Sequence, residues 1–213
     1  MGILGGTFDP VHLGHLRAAE EAAEALGLDE VAFVPARKPP HKPGEPTASP
    51  EDRLEMARLA VVGRPGFFAS DMELFREGPS YSLDTLRVLG KERPGTDLYF
   101  LLGTDAFVEI HTWHRWEELF SHAHFVVLTR PPRAAEDVAP YVEQTLAGLF
   151  SAEGGEWRHK ASGNRLIPLS VTALDISATA IRGLLARGKS IRWLVPEPVR
   201  DYIILRKLYT DAP

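Results

Sequence analysis

A chain of 213 residues accommodates one α/β domain with a sizeable core and is short for two. Hydrophobic residues at 44% and charged residues at 25% exclude wholesale disorder, and a net charge of -5 argues against a large nucleic-acid footprint. A small anionic substrate remains open, because a few local cations suffice for it; with no cysteine, disulfides and thiolate metal sites are excluded.

Met1 to Leu4 reads as a strand running into a glycine turn, without a basic leader or cleavage signature, so a cytoplasmic chain is expected. No apolar run approaches the length of a membrane span. Leu13 to Leu26 reads as an alanine-rich helix and Glu30 to Pro35 as a strand. After a proline-rich loop, Ser49 as N-cap, Pro50 at the first helical position and acids in the first turn open another helix. Phe67 to Met72 is strand-like and Ser82 to Lys91 helical, and Leu98 to Leu102 has the length of a strand buried on both faces. His124 to Leu128 is a strand, Ala135 to Phe150 a helix, Ala152 to Asn164 an exposed loop and Arg165 to Leu169 a last strand. Helices from about Ala178 to Arg187 and Pro196 to Lys207 finish the chain.

This alternation predicts a Rossmann-like α/β fold: a doubly wound, mostly parallel sheet with helices on both faces and a C-terminal helical portion over about 176–213, all in a single domain 1–213. Ligands in such folds bind beyond the carboxyl ends of the strands at a switch in strand order. The turn after the first strand is therefore the place to look.

That turn is Gly5-Gly6-Thr7-Phe8-Asp9-Pro10-x-His12-x-Gly14-His15. Gly5 and Gly6 let backbone approach a nucleotide closely, and the helix start near Leu13 offers free N–H groups and a positive dipole end to phosphate. His12 and His15, three apart, share one face of the first turn and can donate to phosphate oxygens that gain charge during transfer. Gly14 between them leaves room for a base or ribose. The pattern is neither a Walker A loop, which needs Gly-Lys-Ser/Thr, nor a G-x-G-x-x-G turn.

The segment resembles the signature of the bacterial nicotinate-nucleotide adenylyltransferases, within the wider H-x-G-H nucleotidyltransferase superfamily. Pro39-Pro40-His41-Lys42, Gly78-Pro79-Ser80-Tyr81-Ser82-Leu83-Asp84-Thr85-Leu86, Gly103-Thr104-Asp105 with Trp113, and Ile176-Ser177-Ala178-Thr179-Ala180-Ile181-Arg182 resemble further segments of that family in the same order. The H-x-G-H part indicates the superfamily, and the later segments narrow it to the pyridine-nucleotide branch. The resemblance implies that ATP and nicotinate mononucleotide are joined into nicotinate adenine dinucleotide, with pyrophosphate released. The mononucleotide phosphate attacks the α-phosphorus in line, with no covalent enzyme intermediate. A phosphate nucleophile is already ionised, so no general base is needed, and Mg²⁺ accompanies the triphosphate.

By the same resemblance, His12, His15, Lys42 and Arg182 are the catalytic set, and Gly5, Gly6, Thr7, Phe8, Gly14, Ser177 and Thr179 hold ATP. Ser177, Thr179 and Arg182 open a helix, where a cap and a flanking cation also suit the β,γ-phosphates. On the acceptor side Trp113, whose neighbours are polar, stands ready to stack on a pyridine ring. Ser82, where threonine is more usual in the family, supplies a hydroxyl for the carboxylate, His114 a backbone contact and Arg115 a cation. Asp105 is a substrate-side contact and a candidate N-cap. His111, His114, His122 and His124 match no catalytic zinc pattern, so no protein-bound metal is expected. Two rivals stand beside this reading: another H-x-G-H transferase with a different acceptor, and a non-catalytic ATP-sensing module. Pyrophosphate release with each acceptor separates the three.

Overall fold

The computed structural model describes residues 1–38, 47–129 and 138–210. Its strands are β1 (Gly2–Gly6), β2 (Val31–Pro35), β3 (Phe67–Ala69), β4 (Tyr99–Gly103), β5 (His124–Thr129), β6 (Phe150–Glu153), β7 (Glu156–His159) and β8 (Arg165–Ser170). The helices are α1 (Leu13–Leu26), α2 (Pro50–Ala60), α3 (Ser82–Glu92), α4 (Thr104–Val108), α5 (Trp116–Leu119), α6 (Val138–Thr145), α7 (Ala178–Ala186) and α8 (Glu197–Leu205). Among the described residues the strands form one sheet in the order β3-β2-β1-β4-β5-β8-β7-β6. The pairs from β3 through β8 are parallel, and β6 and β7 close the edge antiparallel.

Because successive strand residues point to opposite faces, the apolar strands feed two cores. Ile3, Ala32, Val34, Phe100, Leu102, Phe125 and Val127 pack on one face with Leu83, Leu86 and Leu89 of α3, Phe107 of α4 and Val142 of α6. Leu4, Val31, Phe33, Leu101, Val126 and Leu128 pack on the other with the alanines of α1, Met56 of α2, Ile181 of α7 and Ile203 of α8. This is the doubly wound arrangement expected from the alternation.

Local chemistry sets the element ends. Gly27 ends α1 in the left-handed region at φ 62°, its N–H returning to the Ala23 carbonyl. Ser49 caps α2 by accepting from the Asp52 N–H at 3.0 Å, with Pro50 at the first turn. Three expectations are corrected. The segment after Ala152 is a hairpin, not a loop: Gly154 and Gly155 have φ of 60° and 88°, the geometry of a two-residue turn joining β6 to β7. Phe150 ends no helix but begins β6, because its ring is buried against Phe120 at 4.9 Å and His159 at 5.3 Å. The expected strand Phe67 to Met72 is shorter, ending at Ala69. Among the described residues no helix is long and apolar enough to cross a membrane.

Candidate active site

Between β1 and β4 the strand order reverses, since β2 lies on one side of β1 and β5 beyond β4. A cleft of about 880 Å³ opens at their carboxyl ends, where Gly5, Gly6, Leu102 and Gly103 form its floor. That is where open α/β sheets bind ligands, and the volume suits two nucleotides in contact.

The phosphate side is built on the first turn of α1. His12 is its N-cap, with extended backbone, and His15 Nδ1 accepts from the His12 N–H at 3.2 Å. With Nδ1 as acceptor of that bond, Nε2 is the nitrogen through which this ring can donate. The two rings stack at 3.7 Å and 26°, and the edge of Phe8 supports His15 at 5.1 Å. Glycine at these positions leaves room for the protein's own rings. A Cβ on Gly14 would lie 3.1 Å from His12 Nδ1, and one on Gly6 would lie 3.0 Å from the Phe8 ring. Gly14 lines the cleft with the His12 ring beside it. Phe8 holds φ 50° and is buried, so it acts as a wall behind His15.

Two buried charged residues hold this turn in place. Arg53 of α2 is fully buried, and its guanidinium donates to the carbonyls of Thr7 at 2.8 Å, Ala36 at 2.6 Å, Arg37 at 3.1 Å and Ala48 at 3.3 Å. Burial lowers its pKa, with Asp9 opposing, yet a guanidinium keeps its charge at any working pH. Asp9 accepts from the N–H groups of Thr47 at 2.8 Å and Ala48 at 3.1 Å, and from the Tyr209 hydroxyl at 2.7 Å. From the far side, α7 aims its start into the cleft: Ser177 Oγ accepts from the Ala180 N–H, and Arg182 donates to the Asp9 carbonyl at 2.7 Å and to Thr179 Oγ1 at 3.3 Å. Ser177, Thr179 and Arg182 all line the cleft with His12 and His15.

The acceptor side is assembled from rings and hydroxyls. Trp113 is half-buried, edge-on to Phe100 at 6.2 Å, and lines the cleft. His114 stacks on Tyr81 at 4.3 Å, beside Ser82 in the first turn of α3. Asp105 lines the cleft from the first turn of α4, whose cap is Gly103 rather than Asp105. Beneath them Ser80 Oγ accepts from the N–H groups of Arg37 and Lys38, tying the end of β2 to this loop. Glu73 takes hydrogen bonds from Thr85 Oγ1 at 2.5 Å and from Ser80, and burial pushes its carboxyl above the usual range. Arg115 does not join them. It lies outside the cleft lining, exposed and paired with Glu118 at 2.5 Å, because its left-handed backbone at φ 50° turns the chain into α5. Lys42 lies outside the described residues.

A cytidylyltransferase-like family model matches residues 3–184. A "Probable nicotinate-nucleotide adenylyltransferase" of Geobacter metallireducens is 46% identical over 211 residues, covering 98% of this chain and 97% of the relative. One of Desulfatibacillum aliphaticivorans is 49% identical over 215 residues, covering 98% and 99%. The chain belongs to the nicotinate-nucleotide adenylyltransferase family. Among solved structures, "Plasmodium falciparum nicotinic acid mononucleotide adenylyltransferase complexed with NaAD" matches with a TM-score of 0.72 at 18% identity, covering 99% of this chain and 97% of that one. That likeness shows a shared fold.

Several residues of this adenylyltransferase escape a motif reading. Arg53 left one trace, since helical spacing puts it on the face of the buried Met56 and Ala57. A cation at an apolar position of an amphipathic helix points to a buried partner set. Asp9 stood inside the N-terminal motif without a role, and Tyr209, 200 residues away, carries no local signal linking the two. Glu73 has no periodicity that separates it from its neighbours.

Proposed function

We propose that this nucleotidyltransferase transfers the adenylyl group of ATP to the phosphate of nicotinate mononucleotide, acting in the cytoplasm as one domain. A phosphate oxygen of the mononucleotide attacks the α-phosphorus, the bond from that phosphorus to the bridging oxygen breaks, and pyrophosphate leaves with the electron pair. The observation that carries this reading is that one cleft holds both the H-x-G-H helix start and the Trp113, Tyr81 and Ser82 wall.

His15 Nε2 and His12 donate to the transferring phosphate, and Ser177, Thr179 and Arg182 hold the β,γ-phosphates with the start of α7. Gly5, Gly6 and Thr7 bring backbone close to the nucleotide. Lys42 completes the phosphate cations. Mg²⁺ arrives with ATP as part of that substrate, and Asp9, already accepting three hydrogen bonds, has little capacity left to ligate it. Trp113 stacks on the pyridine ring, and the Ser82 hydroxyl and the backbone at His114 donate to its carboxylate. A carboxylate accepts at both oxygens, whereas an amide sets its own NH₂ against one donor, at a cost of about 1–3 kcal/mol. The acid is therefore preferred, by hydroxyl and backbone rather than by the Arg115 cation. Pyrophosphate release measured with ATP, Mg²⁺ and each candidate acceptor tests the assignment. Turnover with phosphopantetheine instead, or with none, overturns it.

A further inference from the structure

The last described turn of the chain reaches back to the phosphate side of the cleft. Lys207 and Tyr209 both adopt left-handed backbone, at φ 52° and 63°, a conformation that non-glycine residues avoid unless packing holds them there. The reversal folds the Tyr209 ring inward until it is 7% exposed, with its hydroxyl 2.7 Å from Asp9 Oδ1. Burial first, and the Asp9 charge second, drive the phenol pKa far upward, so the hydroxyl stays protonated and donates.

Asp9 is the neighbour that competes for Arg182. The Arg182 guanidinium bonds the Asp9 main-chain carbonyl, yet its Nη1 stays 3.8 Å from Asp9 Oδ2, beyond hydrogen-bond distance. Each carboxylate oxygen offers about two acceptor sites: Ala48 and Tyr209 both donate to Oδ1, and Thr47 donates to Oδ2, the oxygen nearer Arg182. Without the Tyr209 bond Oδ1 holds one donor fewer, and the less compensated carboxylate draws more strongly on Arg182, a cation among the described residues at ion-pair distance whose fork fits a carboxylate well. Closing that pair would turn the guanidinium away from the cleft it lines.

We propose that Tyr209 is a positioning residue for Arg182: its hydroxyl completes the hydrogen bonding of Asp9 Oδ1 and tempers the carboxylate charge, so that the guanidinium remains presented to the triphosphate. The proposal rests on the reading of Arg182 as a ligand of ATP. A bond from a neutral hydroxyl to a buried carboxylate is of the size that shifts binding about five- to tenfold.

Steady-state kinetics on wild type, Y209F, R182A and the double variant test it, with melting temperatures alongside. Y209F keeps the ring and its packing. It is expected to raise KM for ATP about five- to tenfold, to leave KM for the mononucleotide within about twofold, and to add nothing further to R182A. Equal effects of Y209F with and without Arg182 overturn the Tyr209 proposal while the role of Arg182 stands. An R182A variant with unchanged KM for ATP removes the Arg182 reading and the proposal with it. A melting temperature lower by more than about 10 °C with both KM values unchanged makes Tyr209 a stability residue only, and also overturns the proposal.

Discussion

On the phosphate side of the cleft the walls are main chain held by buried charges, whereas on the acceptor side they are rings and hydroxyls drawn from three separate segments. Residues 5–15 supply the strand end, the turn and both histidines in one contiguous run, with Arg53 and Asp9 fixing the backbone from below. The acceptor wall takes Ser80 to Ser82 from the start of α3, Asp105 from the start of α4, and Trp113 and His114 from the turn before α5. The contrast follows from the ligands. Triphosphate needs fixed N–H donors and cations, which a rigid turn provides, while a flat aromatic acceptor needs surfaces that pack.

If that contrast is right, the deepest anchor of the phosphate side should matter to folding more than any residue of the acceptor wall. Arg53→Ala leaves four carbonyls short of a donor and is expected to lower unfolding stability by on the order of 3–5 kcal/mol, read by denaturant titration. A loss below about 1 kcal/mol would show that the turn holds itself.

His15→Ala sharpens the same side without touching its foundation. It should cut kcat/KM by at least about a hundredfold while the melting temperature stays within a few degrees, since the ring lines the cleft. Turnover close to wild type would remove the His15 role.

Across the cleft, Trp113→Ala is expected to raise KM for the mononucleotide about tenfold and leave KM for ATP nearly unchanged. Equal losses for both substrates would break the division into two sides. Arg115→Glu should change either constant by less than about twofold, because its side chain is turned toward Glu118 and exposed.

The smallest expected effects are on stability against pH, and two carboxyls give them opposite signs. At Asp52 burial pushes the pKa up, but hydrogen bonds from Ser49 and Tyr202 and the charge of Arg206 outweigh it and leave a lowered value. Its contribution is therefore present above the unfolded pKa and fades as pH falls through the folded one. Glu73 is raised by burial, so its contribution is full below the usual value of 4.5 and is lost as pH rises through the folded pKa. Melting curves of Glu73→Gln against wild type should thus move in favour of the variant as pH rises above that range. A difference independent of pH would contradict the raised pKa.

The two sides were unequally legible in the sequence. The doubly wound sheet, α1 with its histidines and the Ser49-Pro50 start of α2 follow from periodicity and capping, because those signals lie within a few adjacent residues. The β6–β7 hairpin was missed although Gly154-Gly155 is a strong turn signal, since the flanking strands are four residues each, too short to show a clear alternation. The family resemblance assigns Arg115 to the acceptor pocket. One left-handed residue then turned it away, and no sequence pattern marks a left-handed arginine. Contacts such as Tyr209 with Asp9, or Arg53 with four carbonyls, depend on packing between distant elements and leave almost no local trace.

The central claim, that one cleft joins ATP to a pyridine mononucleotide carrying a carboxylate, is tested most directly by side-by-side kinetics with nicotinate and nicotinamide mononucleotides at saturating ATP and Mg²⁺. The account predicts kcat/KM higher for the acid by roughly tenfold to a hundredfold, reduced by Ser82→Ala. Equal efficiencies for the two acceptors, or a preference for the amide, would contradict it.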